Sequence, residues 1–575
     1  MQDLAQLLAT VKSKRIKLWV EDEQLKFKAP KGAMTAQIGN LIRDNKQAII
    51  LLLSQSRSLV NADAIKPVSR EQVIPMSFAQ RRMWFLEQLN GQSSAYNIYQ
   101  SLKLNGALDG EKLADCVDQL VQRHEILRSR LHVLDGESEG EGEGDEPVLA
   151  FDPRHPDPLT VRSAQQGEIE SIICEHQQQV FDLNNGPLYD MTLVKVASQT
   201  HYLLINIHHI VADGWSLGVL VEELMTLYSA SQNALPQQSI QYADFAHWQR
   251  SNEQQNKQRK QLEYWMDRLN DAPEYLTIAR DNGRDDNHDS SGGSLSIQLS
   301  ETQTAKLSQF CKQHKVSDFI FLLSVFQLHL SRLSGQQSVI VGAPNVGRNT
   351  ADLQKMMGLL LSTMILRADL DMDSSFEQFL AANKKHILGA MERQDVPFEQ
   401  IVEGLGLSRN TNSNPLFQVF FNMLNLPGED LALPGIEIEA TEQVEQDSKF
   451  DITLYAQQRP AGLHLRYHYN TGLFSEARIV EMLEQYRHLL LQIVDYPEQS
   501  IGAYSLRTQS ACAVLPNPQQ PLDDSWRGDV ISLFQQQVSL APDKLAIESE
   551  RTNYSYQQLA NCSNNVAVAL QGKVG

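Results

Sequence analysis

The stretch that decides the fold is YLLINIHHIVADG at residues 202–214. Its first six residues are short and mostly apolar, which is typical of a buried β-strand. The pair Asp213-Gly214 predicts a tight turn after that strand, and Ser216 is predicted to be the N-cap of a following helix. The pattern therefore predicts a strand-to-helix junction with His208 and His209 at the end of the strand.

Histidine is suited to chemistry at such a junction, because a neutral imidazole can accept a proton or hold a nucleophile near neutral pH. Asp213 lies four residues after His209, and a turn can fold it back so that it anchors the loop by ion pairing. The pattern is typical of an acyl-transfer site. The alternative is a pair of core histidines whose ring nitrogens are satisfied by backbone carbonyls.

The run HHIVADG at residues 208–214 resembles the core motif of condensation domains of nonribosomal peptide synthetases. Further blocks resemble the other motifs of that family, in the family's order, and the resemblance covers roughly residues 70–500. These blocks are SFAQRRMWFL at 77–86, RHEILR at 123–128, YADFAHWQ at 242–249, QDVPFE at 394–399, SRN at 408–410 with NPL at 414–416, and KFDITL at 449–454.

Two blocks depart from the family pattern. The fifth motif usually carries Phe-Val-Asn-Thr after a glycine, whereas Gly358 is followed here by LLLST at residues 359–363. The sixth often begins with histidine, and this chain has Arg393. We expect both changes to lie away from the catalytic centre and to affect substrate preference more than activity.

The resemblance implies an α/β (α+β) fold made of two lobes, each similar to chloramphenicol acetyltransferase, that form a V-shaped pseudo-dimer with a tunnel between them. The lobes are predicted at residues 73–260 and 261–496. Donor and acceptor phosphopantetheine arms would enter from opposite faces and meet at His209. The chain itself is expected to bind no cofactor, and the substrates are carried by partner carrier proteins.

The resemblance also implies roles for the junction. His209 is expected beside the attacking amine, as a base or as a hydrogen-bonding positioner, while His208 supports the loop. Gly214 would let backbone approach the substrate, where its N–H can stabilise an oxyanion.

Asp213 is expected to be structural. By family analogy its salt-bridge partner is Arg348, with Arg128 as the second choice.

Composition limits the function classes. The net charge of −20 over 575 residues argues against nucleic-acid binding. The five cysteines, at 116, 174, 311, 512 and 562, show neither disulfide nor metal-ligand spacing, which favours a reducing cytoplasm and no metal site. No signal pattern occurs, and the apolar run at 48–53 is too short for a membrane span.

Glycine and acidic residues make up nearly all of residues 135–146. Such a run cannot bury apolar area and repels itself, so it predicts a disordered surface loop inserted between two strands, and not a metal site.

The first sixty residues are basic, unlike the chain as a whole. Strand-like segments around Trp19 and around Lys26 and Lys28, separated by an acidic turn, predict a hairpin between two helices. The segment, residues 1–58, resembles the N-terminal docking domain of tubulysin-synthetase type. That resemblance implies binding of an upstream subunit's acidic C-terminal tail as an added strand beside Lys26, Lys28 and Trp19. The alternative is a solvated charged surface.

Polar and proline-containing stretches predict linkers at residues 59–72 and 497–526. Residues 527–575 resemble the opening of an adenylation domain, without its glycine-rich phosphate loop, so no ATP chemistry is expected from them. The run SGGSL at 291–295 is superficially similar to a carrier-protein serine site, but it follows a polar stretch and is predicted to be a loop.

The first motif and the nearby residues 95–98 look like the subtype that joins an L-configured donor to an L-aminoacyl acceptor. Heterocyclisation is disfavoured because that subtype replaces the first histidine with aspartate. Two other classes stay open: a stand-alone acyltransferase that uses coenzyme A or another soluble donor, and a non-catalytic scaffold that only docks partners. The docking segment and the adenylation-like start argue against the first, and the intact His209 and Asp213 argue against the second.

Overall fold

The computed structural model divides the chain into two compact units, residues 1–508 and residues 509–575. The structure describes residues 17–21, 24–28, 65–91, 93–133, 147–152, 158–229, 235–283, 291–407, 414–424, 433, 435–440, 447–516, 521, 525–548 and 552–571.

The N-terminal segment contains a β-hairpin. Strand β1 (Lys17–Glu21) pairs antiparallel with β2 (Gln24–Lys28), and Trp19 lies opposite Lys26 in the register. The predicted hairpin is thereby confirmed. The helices predicted on either side of it lie outside the described residues.

The first half of unit 1 contains a mixed sheet whose described strands are, in order, β14 (Ile436–Ala440), β4 (Asn97–Gly106), β9 (Thr200–His208), β8 (Tyr189–Ala197) and β7 (Thr160–Ser163). Its elements are β3 Ile74–Pro75, α1 Phe78–Asn90, β4 Asn97–Gly106, α2 Gly110–Arg123, a 3-10 turn Glu125–Arg128, β5 Ser129–His132, β6 Val148–Phe151, β7 Thr160–Ser163, a 3-10 turn Gln166–Glu168, α3 Ile169–Gln177, β8 Tyr189–Ala197, β9 Thr200–His208, α4 Gly214–Ser229, α5 Tyr242–Gln249 and α6 Asn252–Leu269.

The second half contains a second mixed sheet whose described strands are, in order, β10 (Gly292–Gln298), β16 (Gly462–Asn470), β15 (Ile452–Arg459), β13 (Val419–Leu424), β11 (Ser338–Asn345) and β12 (Ser362–Asp369). Its elements are β10 Gly292–Gln298, α7 Glu301–His314, α8 Asp318–Ser334, β11 Ser338–Asn345, α9 Ala351–Gln354, β12 Ser362–Asp369, α10 Phe376–Met391, α11 Phe398–Gly404, β13 Val419–Leu424, β14 Ile436–Ala440, β15 Ile452–Arg459, β16 Gly462–Asn470 and α12 Glu476–Asp495.

Strand β9 is the central feature of the first sheet. It pairs antiparallel with β4 on one side and with β8 on the other. Its residues 201–208 are all buried, so both of its faces are covered and its near-continuous apolar sequence is explained. Because β9 runs through the core, the junction at its end is held by packing from both sides.

The two halves are interleaved. Strand β14, which follows β13 of the second sheet, crosses to pair antiparallel with the edge strand β4 of the first. Helix α6 spans the boundary predicted between residues 260 and 261. The two halves of unit 1 therefore share structural elements and are not joined by a simple linker.

The linker predicted from composition at residues 497–526 is wrong for the first part of that range. Ile501 and Tyr504 are buried in the core of the second half, and Ser500 bridges to Ser375. The apolar side chains in this segment are few, yet they fill the end of a packed core. The run SGGSL was predicted to be a loop, which is wrong, because Gly292–Gln298 is a strand paired with β16.

Strands β5 and β6 pair antiparallel on either side of the acidic run, which confirms that this run is inserted between two strands. The run itself lies outside the described residues. Unit 2 contains α13 Gln509–Val514, α14 Val530–Leu540, β17 Leu545–Ile547, β18 Tyr554–Ser555 and α15 Tyr556–Gln571, with β17 and β18 paired.

The five cysteines all lie in described parts of the chain, and none of them forms a disulfide. Within the described ranges, no single helix is long and apolar enough to cross a membrane, although α7 and α8, bent by 102°, meet the length and composition test as a pair. No group of three or more His, Cys, Asp or Glu side chains is placed to hold a metal ion in the same ranges.

Candidate active site

The junction at the end of β9 is closed by backbone hydrogen bonds. The N–H of His208 donates to Leu188 O at 2.9 Å, and the N–H of His209 donates to Tyr96 O at 2.8 Å. The chain then turns through residues 210–212, which are buried, and enters α4 at Gly214. The two histidines therefore lie at the end of β9, where backbone hydrogen bonds still hold the chain on both sides.

Asp213, and not Ser216, is the N-cap of α4. Its Oδ1 accepts from Ser216 N at 2.8 Å, and its backbone carbonyl accepts from Leu217 N at 3.1 Å. The prediction that Ser216 caps the helix is wrong, because the aspartate begins the helix three residues earlier. An N-cap aspartate satisfies an unpaired N–H of the first turn and complements the helix dipole.

The Asp213 carboxylate is the centre of a buried network. Its Oδ2 accepts from Arg348 Nη1 at 2.7 Å and from Leu360 N and Leu361 N at 3.1 and 3.2 Å. Its Oδ1 also lies 2.8 Å from Ser216 Oγ. Both charged side chains of the ion pair are about 1% exposed. The carboxylate is thus saturated by structural donors, which supports an anchoring role.

Arg348 is the partner that the family resemblance implied. Its Nη2 reaches Ser216 Oγ at 2.9 Å and donates to Met356 O at 3.1 Å. Arg128, the second choice, does not fill this role: it donates to the backbone carbonyls of Val121 and Asp152 at 3.1 and 2.7 Å. The ion pair between the two halves therefore depends on Arg348.

The fifth motif lies in this network, so the expectation that its changes fall away from the centre is wrong. Leu360 and Leu361 bond Asp213, and Gly358 O accepts from Ser216 Oγ at 2.9 Å. Gly358 has φ +145°, and a Cβ there would lie 1.9 Å from Tyr242 Cδ2. The glycine is required by both its backbone angle and its close contact.

Three motif blocks meet at the junction through side chains that sequence reasoning did not single out. Gln80 Nε2 donates to Ile210 O at 3.0 Å. Tyr242 OH donates to Leu359 O at 2.8 Å and lies 2.8 Å from Ser77 Oγ. The only sequence indication of these contacts is that Gln80 and Tyr242 stand inside family-like blocks.

His208 is buried behind the junction. Its Nδ1 accepts from Ile210 N at 3.2 Å, so the ring proton lies on Nε2, which donates to Glu87 Oε1 at 3.3 Å. Burial, with a smaller contribution from His209, lowers the pKa of His208 to about 3. His208 is therefore a neutral ring that holds the turn. Glu87, directly after the first block, was missed by the sequence analysis.

His209 faces a cavity of about 260 Å³ lined by residues from both halves of unit 1. The lining includes Tyr96 and Trp248 from the first half and Ser362, Phe398 and Lys449 from the second. Since Nδ1 of His209 is buried, Nε2 is the nitrogen through which the ring can exchange a proton with the cavity.

The electrostatics of this cavity keep His209 neutral. Burial and then the positive charge of Lys449 lower the pKa of His209 to about 4, against an opposing effect of Asp213. A neutral imidazole is a hydrogen-bond acceptor across the whole physiological pH range at this value. The site can therefore receive a proton or orient an N–H donor.

Gly214 is exposed at the first turn of α4, and an added Cβ would meet nothing within 4 Å. The structure does not place Gly214 among the residues that line the cavity of His209. Lys26, Lys28 and Trp19 are in the hairpin, where the backbone register places Lys26 opposite Trp19.

Comparison with known proteins gives family matches for two segments. Residues 70–515 match the model described as Condensation domain, and residues 4–55 match the model described as TubC N-terminal docking domain.

Two proteins illustrate the similarity to curated sequences. Malpinin synthetase of Mortierella alpina is 31% identical over 528 residues, covering 90% of this chain and 7% of that protein. Tyrocidine synthase 3 of Brevibacillus parabrevis is 30% identical over 510 residues, covering 88% of this chain and 8% of that protein. The chain thus spans less than a tenth of the length of these two relatives.

A solved four-domain nonribosomal peptide synthetase, bound to AMP and glycine, has a similar fold, with a TM-score of 0.68 at 20% identity. The match covers 87% of this chain and 39% of that one, and it confirms the mixed α/β fold. With the model match over residues 70–515 and the ordered motifs around His209, the chain belongs to the condensation-domain family.

Proposed function

We propose that this chain forms a peptide bond between a donor aminoacyl or peptidyl thioester and an acceptor aminoacyl thioester, both tethered to carrier-protein phosphopantetheine arms. The observation that carries the proposal is the neutral His209 ring, which faces a cavity lined by both halves of unit 1. A cavity built from two halves suits two tethered substrates that must meet at one point.

The reaction balances without a co-reactant. The amine nitrogen of the acceptor attacks the donor thioester carbonyl carbon, the C–N bond forms, and the C–S bond breaks, so that sulfur leaves on the donor arm. The amine proton passes to the departing thiolate, with His209 Nε2 as the group that accepts or orients that N–H. Thioesters are already activated, so positioning contributes much of the rate.

The other junction residues hold His209 in place. His208 bonds the turn through Ile210 N–H, and Asp213 fixes the start of α4 to Arg348. Gly214 does not line the cavity that His209 faces, so we propose no part for its N–H in stabilising the oxyanion.

An assay with loaded carrier proteins tests the proposal. The full chain is mixed with a donor carrier bearing an aminoacyl arm and an acceptor carrier bearing another, and the acceptor is read by intact-protein mass spectrometry. A dipeptidyl thioester on the acceptor is the expected product. Acylation of a free amine by coenzyme A thioesters would instead indicate a stand-alone acyltransferase, and carrier binding without turnover would indicate a scaffold.

A matched histidine pair controls the assay. His209→Ala should lose product, whereas His386→Ala, at an exposed position of α10, should keep it. Comparison of L- and D-configured donors in the same assay tests the L-donor, L-acceptor subtype: a preference for the D donor would contradict it.

We further propose that the donor arrives on another chain, whose acidic C-terminal tail binds the N-terminal hairpin as an added strand. The family match of residues 4–55 supports this, as do the positions of Lys26 and Lys28 two residues apart on β2. Binding of a fluorescent acidic peptide should weaken in a Lys26→Glu, Lys28→Glu double variant. A Lys312→Glu, Lys385→Glu variant, at exposed positions, is the charge-matched control.

Unit 2 is proposed to be the start of an adenylation domain. The paired strands β17 and β18 between α14 and α15 are compatible with such a beginning. A chimera in which residues 527–575 replace the opening segment of a known adenylation domain should keep amino-acid-dependent ATP–pyrophosphate exchange. A well-folded chimera without exchange would contradict this assignment.

A further inference from the structure

Lys449 brings a cation to the wall of the His209 cavity. It is the first residue of the KFDITL block, to which the motif comparison gave no role. It comes from the second half of unit 1, whereas His209 comes from the first. The fold therefore places a positively charged side chain of the second half in the wall of a cavity that His209 of the first half also lines.

The backbone around Lys449 is anchored on both sides. Asn414 Nδ2 donates to Lys449 O at 3.2 Å, and Ser448 Oγ donates to Phe450 O at 2.7 Å. The Phe450 ring stacks on Phe420, with ring centroids 4.6 Å apart and planes 6° apart. The point from which the lysine side chain leaves is thus set by several independent contacts.

Tyr96 connects the lysine to the histidine. The Lys449 ammonium lies 6.0 Å from the centroid of the Tyr96 ring, at cation–π range. The carbonyl of the same tyrosine accepts the His209 N–H at 2.8 Å. Lys449 and His209 therefore flank one residue of the cavity wall.

We propose that Lys449 is a positioning residue that holds the His209 imidazole in its neutral, proton-accepting form. This inference rests on the proposed function. A protonated imidazole that shares a cavity with an ammonium is unfavourable, because like charges repel and burial of the ring strengthens that repulsion. The lowered pKa of His209, about 4, agrees with this arrangement.

Two further groups of the first half, Asp213 and His208, also act on the His209 ring. Asp213 acts in the opposite direction on His209, but its carboxylate is bound by Arg348 at 2.7 Å. His208 is itself neutral, and its ring N–H donates a hydrogen bond to Glu87.

Other charged side chains of the cavity lining lie beside a group of opposite charge. Arg82 lies 3.2 Å from Glu399, and Asp395 lies 3.1 Å from Lys257. Because opposite charges at these distances largely offset one another at longer range, these pairs have little net effect on the His209 ring.

Chemical labelling measures the effect without turnover. Diethyl pyrocarbonate acylates neutral imidazole, and peptide mass spectrometry gives the rate at His209 as a function of pH. In Lys449→Met the midpoint for His209 should move to higher pH, by up to about one unit, as expected for removal of one nearby charge. Lys449→Arg should keep the original midpoint, and so should Lys385→Met at an exposed position of α10.

The acidic limb of the condensation rate should move in the same direction in Lys449→Met and stay in place in Lys449→Arg. An unchanged labelling midpoint in Lys449→Met, or an arginine variant that behaves like the methionine variant, overturns the role of Lys449. Absence of dipeptidyl product from the unaltered chain would contradict the proposed function instead. The labelling midpoint of His209 would still test the role of Lys449, because labelling needs no turnover.

Discussion

Removal of the Asp213 carboxylate should be among the most destabilising single changes in this protein. In Asp213→Ala, Arg348 loses its buried counter-charge at 2.7 Å while remaining about 1% exposed. The backbone N–H groups of Leu360 and Leu361, at 3.1 and 3.2 Å, lose their acceptor as well. Breaking a buried ion pair by removing one partner costs about 3–5 kcal/mol.

The loss of the helix N-cap adds to that cost. Ser216 N–H loses the acceptor at 2.8 Å that begins α4, and loss of an aspartate cap costs about 1 kcal/mol. These contributions share one carboxylate and are not additive. We therefore expect the free energy of unfolding to fall by about 4 kcal/mol, with activity lost at temperatures where the variant unfolds.

Urea unfolding followed by circular dichroism measures this change. Asp115→Asn, on the exposed side of α2, is the matched control and should change stability by less than about 0.5 kcal/mol. Arg348→Met should also destabilise, and the double variant should lose less than the sum of the two single losses, since neither charge is then left alone. An Asp213→Ala protein within about 1 kcal/mol of the parent would refute the anchoring role.

The same geometry supports three further predictions. His209→Ala should lower the condensation rate by about 100-fold or more at an unchanged urea midpoint, as expected for loss of a general base or positioner; a fully active, well-folded variant would exclude the catalytic role. Gly358→Ala should lower the urea midpoint strongly, because its Cβ would lie 1.9 Å from Tyr242 Cδ2; a midpoint equal to the parent's would show that this contact relaxes freely. His208 has a folded pKa of about 3, below its usual value, so its contribution to stability is complete above about pH 6.5 and decreases as pH falls toward 3. Between those values, urea midpoints of His208→Gln should depend less steeply on pH than those of the parent, and equal slopes would contradict the lowered pKa.

The local pattern around β9 was sufficient to predict much of the site. A short apolar run followed by Asp213-Gly214 predicted the strand, the turn and the helix that the structure contains. The choice of helix cap was wrong, since serine and aspartate are both good caps and sequence spacing does not distinguish them. Ser216 lies three residues after Asp213 and is a second member of the same hydrogen-bond network.

Residues distant in sequence explain what the pattern could not predict. The fifth motif was expected to lie away from the centre, yet its backbone N–H groups bind Asp213. A backbone N–H donor cannot be recognised from the sequence, because it does not depend on the identity of the side chain. Glu87 and Lys449 were missed for a different reason: a lone acidic or basic residue is usually a solvated surface group. Only tertiary packing brings Glu87 to His208 and Lys449 to the cavity that His209 lines.

The sequence by itself determined the order of the motifs, the strand-to-helix junction and the presence of a histidine pair, because these depend on local periodicity and spacing. The family resemblance implied different roles for the two histidines, and the tertiary structure supplied the physical reason: His209 lines the cavity, whereas His208 is buried behind the turn. Tertiary structure alone decided the protonation of both rings. That property depends on burial and on charges such as Lys449, which lies 240 positions away along the chain.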